Sequence, residues 1–319
     1  MKMTYREALK EGLKNAIESD PRVFLIGEDV GAYGGTYAVT KDFFKMYGPD
    51  RIMDAPLSEN GFTGIGIGAA IGGLRPIVEI MTVNFALLAL DQIINSAATF
   101  RHMSGGQISV PLVIRTTTGG GRQLAAQHSN SFEGWFAHIP GIKILTPATV
   151  DDARVFLHYA LQERDPVIIF EHALLLNRSE EVSEKPLLND PYHAEVRKSG
   201  DRLTLISYGG MLHRCLEAAE GKEGVEVIDL RSLRPLDDET VFTSVKKTHR
   251  VLIVDEGWRT GSISAEITAR IMQSCFYDLD APVQRLCRKE VPIPYSRNLE
   301  LAAIPQVSDI STKIQEMLL

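Results

Sequence analysis

Cysteine is scarce in this chain: Cys215, Cys275 and Cys287 are the only three in 319 residues, widely spaced and with no C-x-x-C pair. That count excludes a disulfide framework and a zinc ribbon. The apolar helix-like or strand-like context of each thiol predicts a buried, inert side chain. The eight histidines contain no H-x-x-x-H pair of the kind that binds metal on one helix face. Basic residues are also in deficit, with 34 Lys and Arg against 41 Asp and Glu and a net charge of −7. This argues against a nucleic-acid partner, whose affinity rests on cationic side chains that neutralise phosphates. Long apolar runs are missing too. Ile65 to Leu74 is interrupted by glycine and is too short to span a bilayer, and Met1 to Asn15 is polar and amphipathic, without the apolar core of a signal peptide. The expectation is a cytoplasmic protein, or an organellar one already processed, with no membrane and no nucleic acid as partner.

What is present is the composition of an ordinary globular protein, 44% hydrophobic and 24% charged, long enough for two domains. Short apolar runs at Arg22–Gly27, Arg75–Met81, Val110–Arg115, Lys143–Thr146 and Pro166–Glu171 read as buried parallel strands. They alternate with helical patterns at Tyr5–Glu18, Phe62–Gly73, Phe85–Phe100 and Val150–Gln162. The polar stretch Ser179–Ser199, carrying Pro186 and Pro191, reads as a linker. Beyond it a second series begins, with strands at Leu203–Tyr208, Val225–Asp229, Val251–Asp255 and Val283–Leu286. Helices are expected near Met211–Ala219, Asp238–Lys247 and Ser262–Cys275. The alternation predicts two α/β domains with parallel sheets, over residues 1–185 and 200–319, joined by a linker at 186–199.

The most informative segment is Ala55–Gly73, APLSENGFTGIGIGAAIGG, in which Glu59 stands at the mouth of a glycine-rich run that is otherwise apolar. Charged groups resist burial unless paired or chemically employed. The competing reading is a plain helix N-terminus, with Ser58 or Asn60 as cap and Glu59 favoured by the helix dipole. Gly64-Ile65-Gly66-Ile67-Gly68 contains G-x-G but lacks the third glycine of the dinucleotide fingerprint at its required offset. Its alternating glycines suit tight helix packing better than a phosphate turn. Gly119-Gly120-Gly121 follows the strand ending near Thr117 and reads as a flexible active-site loop without a Walker lysine.

Taken together, GEDVGAYGGTY, APLSENGFTGIGIGAAIGGLRPIVEIMTVNF, LDQIINSAA, MSGGQ, AAQHSNSFEGWFAHIPGIKILTPAT and DLRSLRPLD resemble the beta subunit of the thiamine-diphosphate-dependent decarboxylase component of 2-oxo acid dehydrogenase complexes. The motifs keep their order and spacing along the whole chain. The resemblance implies two transketolase-like domains, an N-terminal parallel-sheet pyrimidine-binding domain and a C-terminal α/β domain that helps assembly. It also implies thiamine diphosphate as cofactor. The cofactor becomes active when its thiazolium carbon loses a proton to the aminopyrimidine, and a carboxylic group bonded to the opposite ring nitrogen promotes the tautomer that accepts it. The resemblance assigns that role to Glu59. It places Phe85 on the aminopyrimidine, against the alternative of a core phenylalanine, and puts Met81 of the same MTVNF string among the cofactor-binding residues. His128 in AAQHSNS corresponds to a histidine facing the 2-oxo acid and the reaction centre; the alternative is a surface-loop histidine.

The family's metal motif, Gly-Asp-Gly followed by Asn, does not occur here. Gly200-Asp201 is the only Gly-Asp pair and continues into Arg202 and a strand. By resemblance, a separate alpha subunit supplies the Mg²⁺ and diphosphate half, and the active site forms in an α2β2 heterotetramer. The first helix starts within a few residues of Met1, which leaves no room for an upstream diphosphate domain of the kind that transketolase carries. A potassium site is also implied, with Leu112, Ala160 and Leu161 and an acid pair that here reads Glu163-Arg164-Asp165. Glu28 in GEDV and Asp91 in LDQII correspond to acids lining a passage between the two active sites, where with Glu59 they would relay protons. The alternatives are a turn residue for Glu28 and a helix-surface carboxylate for Asp91.

The resulting expectation is a pyruvate dehydrogenase (acetyl-transferring) type of subunit. It carries out oxidative decarboxylation with its alpha partner and transfers the acyl unit to the lipoyl group of an acyltransferase core docked through the C-terminal domain. Acetoin and branched-chain 2-oxo acids are the alternative substrates. A non-catalytic assembly subunit and a lone-chain NAD dehydrogenase are the readings from other classes.

Overall fold

The computed structural model describes all 319 residues, which divide into two compact units. The first comprises Met1–Thr118 and Phe136–Pro191, the second Gly119–Trp135 and Tyr192–Leu319.

In the first unit the strands are β1 (Lys2–Thr4), β2 (Val23–Gly27), β3 (Ile52–Asp54), β4 (Arg75–Ile80), β5 (Val113–Thr118), β6 (Lys143–Leu145), β7 (Val167–His172) and β8 (Ser179–Glu181). Six of them form a parallel sheet in the order β6-β7-β5-β4-β2-β3. Strands β2, β5 and β7 are buried along their whole length, as expected where helices cover both faces. The helix Tyr5–Ser19 starts from a capping box in which Thr4 and Glu7 satisfy each other's backbone N–H groups. The helix Glu59–Ile71 lies against β4, and its glycines permit the approach: a Cβ on Gly66 would stand 2.6 Å from Val78 Cγ2. Gly66 of the GIGIG run is therefore packing surface, whereas Gly68 is exposed and faces open space.

Three local expectations change here. The anticipated continuous helix Phe85–Phe100 is broken, because Val83–Ala89 and Gln92–Met103 meet at 67°. The second piece opens with a π-turn over Gln92–Ala97 in which Ala98 N–H reaches Ile93 O, and the Thr99 hydroxyl bonds back to Asn95 O at 2.6 Å. The strand expected at Val110–Arg115 runs instead over Val113–Thr118. The stretch Ser179–Ser199 is not a featureless linker, since β8 pairs antiparallel with β1. No single helix is long and apolar enough to cross a membrane.

The second unit contains β9 (Glu195–Lys198), β10 (Leu203–Ser207), β11 (Val225–Asp229), β12 (Ser232–Arg234), β13 (Val251–Trp258) and β14 (Gln284–Arg288). Its sheet has the order β14-β13-β10-β11-β9, parallel except for the edge strand β9. Helices Gly209–Ala218, Asp238–Thr248 and Ile263–Cys275 were anticipated, whereas Arg297–Ala303 and Val307–Leu318 had no sequence counterpart. Segment Gly119–Trp135 belongs to this unit although it lies between strands of the first, so the units do not separate at one cut near residue 190.

Cys215 and Cys275 are buried as anticipated, and burial pushes the Cys215 thiol up to about 12. Cys287 is only half-buried, yet desolvation raises its pKa too.

Candidate active site

Parallel strands deliver their carboxyl ends to one edge of a sheet, where α/β proteins build their sites. In the first unit Gly27 of β2 is in register with Asp54 of β3 and Glu79 of β4. The residues that follow these strands, Glu28, Ala55 and Met81, therefore emerge at a common edge. The loop after β2 is held by Asp54, whose carboxylate accepts the N–H groups of Gly31 at 2.5 Å and Ala32 at 3.1 Å. A side chain at Gly31 would collide with that carboxylate, its Cβ lying 2.5 Å from Oδ2.

Glu59 is the first residue of its helix and only 5% exposed. No hydrogen bond or ion pair within the chain engages its carboxylate, and Ser58 makes no side-chain cap bond. A carboxylate in a largely buried residue, with no donor in its own chain, is open to a donor that arrives from outside it. Glu28 sits close enough to feel it. Burial first, then the charges of Asp29 and Glu59, raise the Glu28 pKa above the usual carboxylate value. Met81 and Phe85 follow β4 and are half-buried, so Phe85 is not a core residue. Asp91 is exposed in this chain and accepts a hydrogen bond from Asn95 Nδ2 at 2.8 Å across one turn. Within this chain it is a helix-surface carboxylate.

Behind this edge lies a charged cluster that sequence reasoning missed. Arg115 of β5 donates through Nε to Glu171 Oε1 at 2.9 Å and through Nη2 to Oε2 at 2.5 Å, and through Nη1 to Glu79 of β4. Desolvation raises the Glu171 pKa in spite of the guanidinium. The available signal was a charge set inside each of three apolar strands: Glu79 in RPIVEI, Arg115 in VIRTTT and Glu171 in VIIFEH.

The acids expected near a potassium ion are engaged within the chain. Glu163 pairs with Lys143 Nζ at 2.7 Å and Asp165 with Arg101 Nη1 at 2.5 Å, while Glu163 O accepts from Arg75. Leu112 O accepts the Val167 N–H, and Ala160 O receives Glu163 N–H at 3.3 Å. With both carboxylates held by cations of the chain, the acid pair does not fit a potassium ion. No cluster of three or more His, Cys, Asp or Glu is arranged to hold a metal.

In the second unit, His128 ends a single 3-10 turn, Ala126–His128, and is exposed. Its segment is tied down on both sides. Gly120 N–H reaches Glu256 Oε1 at 2.7 Å, and Gly121 and Gln123 N–H reach the two oxygens of Glu300 at 2.8 and 2.9 Å. Beyond His128, Arg288 Nη2 donates to Ser129 O at 2.9 Å, and the Phe132 and Trp135 rings stack with centroids 4.7 Å apart. Glu256, Glu300 and Arg288 carried no recognisable motif, and only their contacts reveal them.

Comparison with known proteins also gives two parts, divided in sequence order. Residues 1–178 match the transketolase pyrimidine binding domain and residues 192–310 the transketolase C-terminal domain. A solved structure titled "Split gene transketolase, inactive beta4 tetramer" superposes with a TM-score of 0.79 at 21% identity, covering 99% of this chain and 98% of that one, which shows the fold. Pyruvate dehydrogenase E1 component subunit beta-1, mitochondrial, of Oryza sativa subsp. japonica is 46% identical over 97% of this chain and 84% of its own length. Pyruvate dehydrogenase E1 component subunit beta of Rhizobium meliloti (strain 1021) is 44% identical over 97% of this chain and 68% of its own. With both domains matched and identity at this level sustained over nearly the whole chain, it belongs to the family of pyruvate dehydrogenase E1 component beta subunits.

Proposed function

We propose that this chain is the beta subunit of a pyruvate dehydrogenase-type oxidoreductase and completes a thiamine diphosphate site together with an alpha subunit. The observation that carries the reading is Glu59, a residue only 5% exposed whose carboxylate has no partner in its own chain, which fits a ring N–H donor of an aminopyrimidine. When bound, thiamine diphosphate supplies the carbanion and electron-sink chemistry that decarboxylates a 2-oxo acid. Glu59 would accept the ring N–H and hold the proton on which activation depends. Half-buried Met81 and Phe85 offer apolar surface for the ring at the end of the adjoining strand. Glu28, whose pKa is raised by burial and by the charges of Asp29 and Glu59, would exchange a proton with Glu59. His128 would orient the 2-oxo acid and handle protons during acyl transfer to a lipoyl group.

Mg²⁺ and the diphosphate belong, in this proposal, to the alpha subunit of an α2β2 assembly. An acyltransferase core docked on the C-terminal domain receives the acyl group, and the location is cytoplasmic. Pyruvate is the proposed substrate, with acetoin and branched-chain 2-oxo acids as competitors in the same assay. The test is reconstitution. The isolated chain should show no decarboxylation, mixing with the alpha chain should restore turnover on pyruvate, and a substrate panel ranks the competitors. Full activity of the purified chain, with no second polypeptide detectable by mass spectrometry, would overturn the shared-site reading.

A further inference from the structure

The triple glycine at 119–121 marks the start of the His128 segment as flexible by composition, yet the structure grips this segment with three buried ionisable side chains. Glu300, on the helix Arg297–Ala303, is 1% exposed and has no cation beside it; its two oxygens each accept one backbone N–H, from Gly121 and Gln123. Glu256 of β13 is 5% exposed and accepts the Gly120 N–H. Arg288, at the end of β14 and 2% exposed, bonds Glu256 Oε1 at 3.2 Å, Ser129 O at 2.9 Å and Ser131 Oγ at 3.3 Å. The grip therefore closes on residues 120, 121 and 123 before His128 and on 129 and 131 after it. Between them Gln123 and Ala125 hold positive φ, at 57° and 60°, a conformation that side chains adopt only when the surroundings impose it.

Burying a carboxylate to orient two backbone N–H groups is an expensive way to stabilise a surface loop. It is reasonable where the loop must present one side chain in one place, because a misplacement of about 1 Å at a reacting group costs roughly a hundredfold in rate. We propose that Glu300, together with the Glu256–Arg288 pair, is a positioning residue that acts on the reaction through His128 by fixing the backbone on both sides of it. This inference rests on the reading of His128 as the residue that faces the 2-oxo acid.

Glu300→Gln is the informative change. It keeps size but replaces one accepting oxygen by an N–H donor that opposes a backbone N–H. In the enzyme assembled with its alpha subunit, Glu300→Gln, His128→Ala and the double variant are compared by single-turnover kinetics with pyruvate, beside amide hydrogen exchange over residues 119–131. The expected result is a loss of tenfold or more in Glu300→Gln, with faster exchange at Gly121 and Gln123. In the His128→Ala background the same substitution should cause little further loss, which is the non-additivity of residues acting as a unit. Arg288→Lys keeps the charge but loses the forked contacts, and it carries the same cycle if Glu300→Gln fails to assemble on size-exclusion chromatography. Equal losses in both backgrounds, or wild-type kinetics in Glu300→Gln, would overturn the positioning role while leaving His128 in place. Wild-type kinetics in His128→Ala would instead remove the reading of His128, and with it this inference.

Discussion

Replacing Glu59 by Gln separates a chemical role from a structural one by the size of two effects. As a carboxylate in the first turn of the helix Glu59–Ile71, Glu59 gains about 0.3–1 kcal/mol from the helix dipole. The repulsion between Glu59 and Glu28 works in the opposite direction. The neutral, nearly isosteric amide should therefore change stability by about 1 kcal/mol or less. A positioned acid or base contributes about a hundredfold to ten-thousandfold, equivalent to roughly 2.7–5.5 kcal/mol of barrier at about 1.36 kcal/mol per decade. The kinetic effect should thus exceed the thermal one several times over. The assay is decarboxylation by the assembled enzyme, with proton exchange at the thiazolium carbon followed by NMR and thermal melting alongside. Rates within about threefold of wild type, paired with a shifted melting temperature, would refute the reasoning and leave Glu59 as a helix-terminus acid.

Three further outcomes follow from the first unit. Arg115→Met leaves Glu79 and Glu171 buried without their cation, and should destabilise by about 3–5 kcal/mol, whereas replacing all three by apolar residues should recover most of it in thermal melts; an unchanged melting temperature in the single variant would show the cluster to be dispensable. Because the Glu28 pKa is raised in the folded state, the stability that this group contributes is full below its ordinary value of 4.5 and is lost as pH rises through the folded pKa. Glu28→Gln should melt higher than wild type near neutral pH, with a gap that closes on acidification toward 4.5; a gap independent of pH would contradict the assignment. Gly66→Ala should destabilise by about 1–3 kcal/mol through overpacking, since its Cβ would meet Val78 Cγ2 at 2.6 Å, and Val78→Ala should restore the loss.

How much of this was legible depends on how local each signal is. The apolar runs that became β2, β4 and β7 announce buried parallel strands without any tertiary knowledge. The short strands β1, β3 and β8 carry too few residues for a period to register. The Val83–Met103 stretch has helical composition throughout, and its 67° bend is invisible in composition because it arises from hydrogen-bond geometry around the π-turn. Glu59 was conspicuous as one charge in an apolar glycine-rich stretch. Asp91 was conspicuous for the same reason, yet it is exposed, because flanking apolar residues do not say which way a helix face points.

By itself the sequence determined the α/β class, the packing use of Gly66 in the GIGIG run and, through motifs in fixed order, the family. These depend on residue type and spacing within a few turns or strands, where side-chain period and sterics act directly. Only the tertiary structure decided which charges meet. Arg115 finds Glu171 56 residues away, and Gly121 finds Glu300 179 residues away. In the same way Lys143 and Arg101 take Glu163 and Asp165, the acids expected at a potassium ion. It also assigned Gly119–Trp135 to the second unit. The physical reason is common to all of these: a buried polar group must find a partner in space, and nothing local in the chain names the partner.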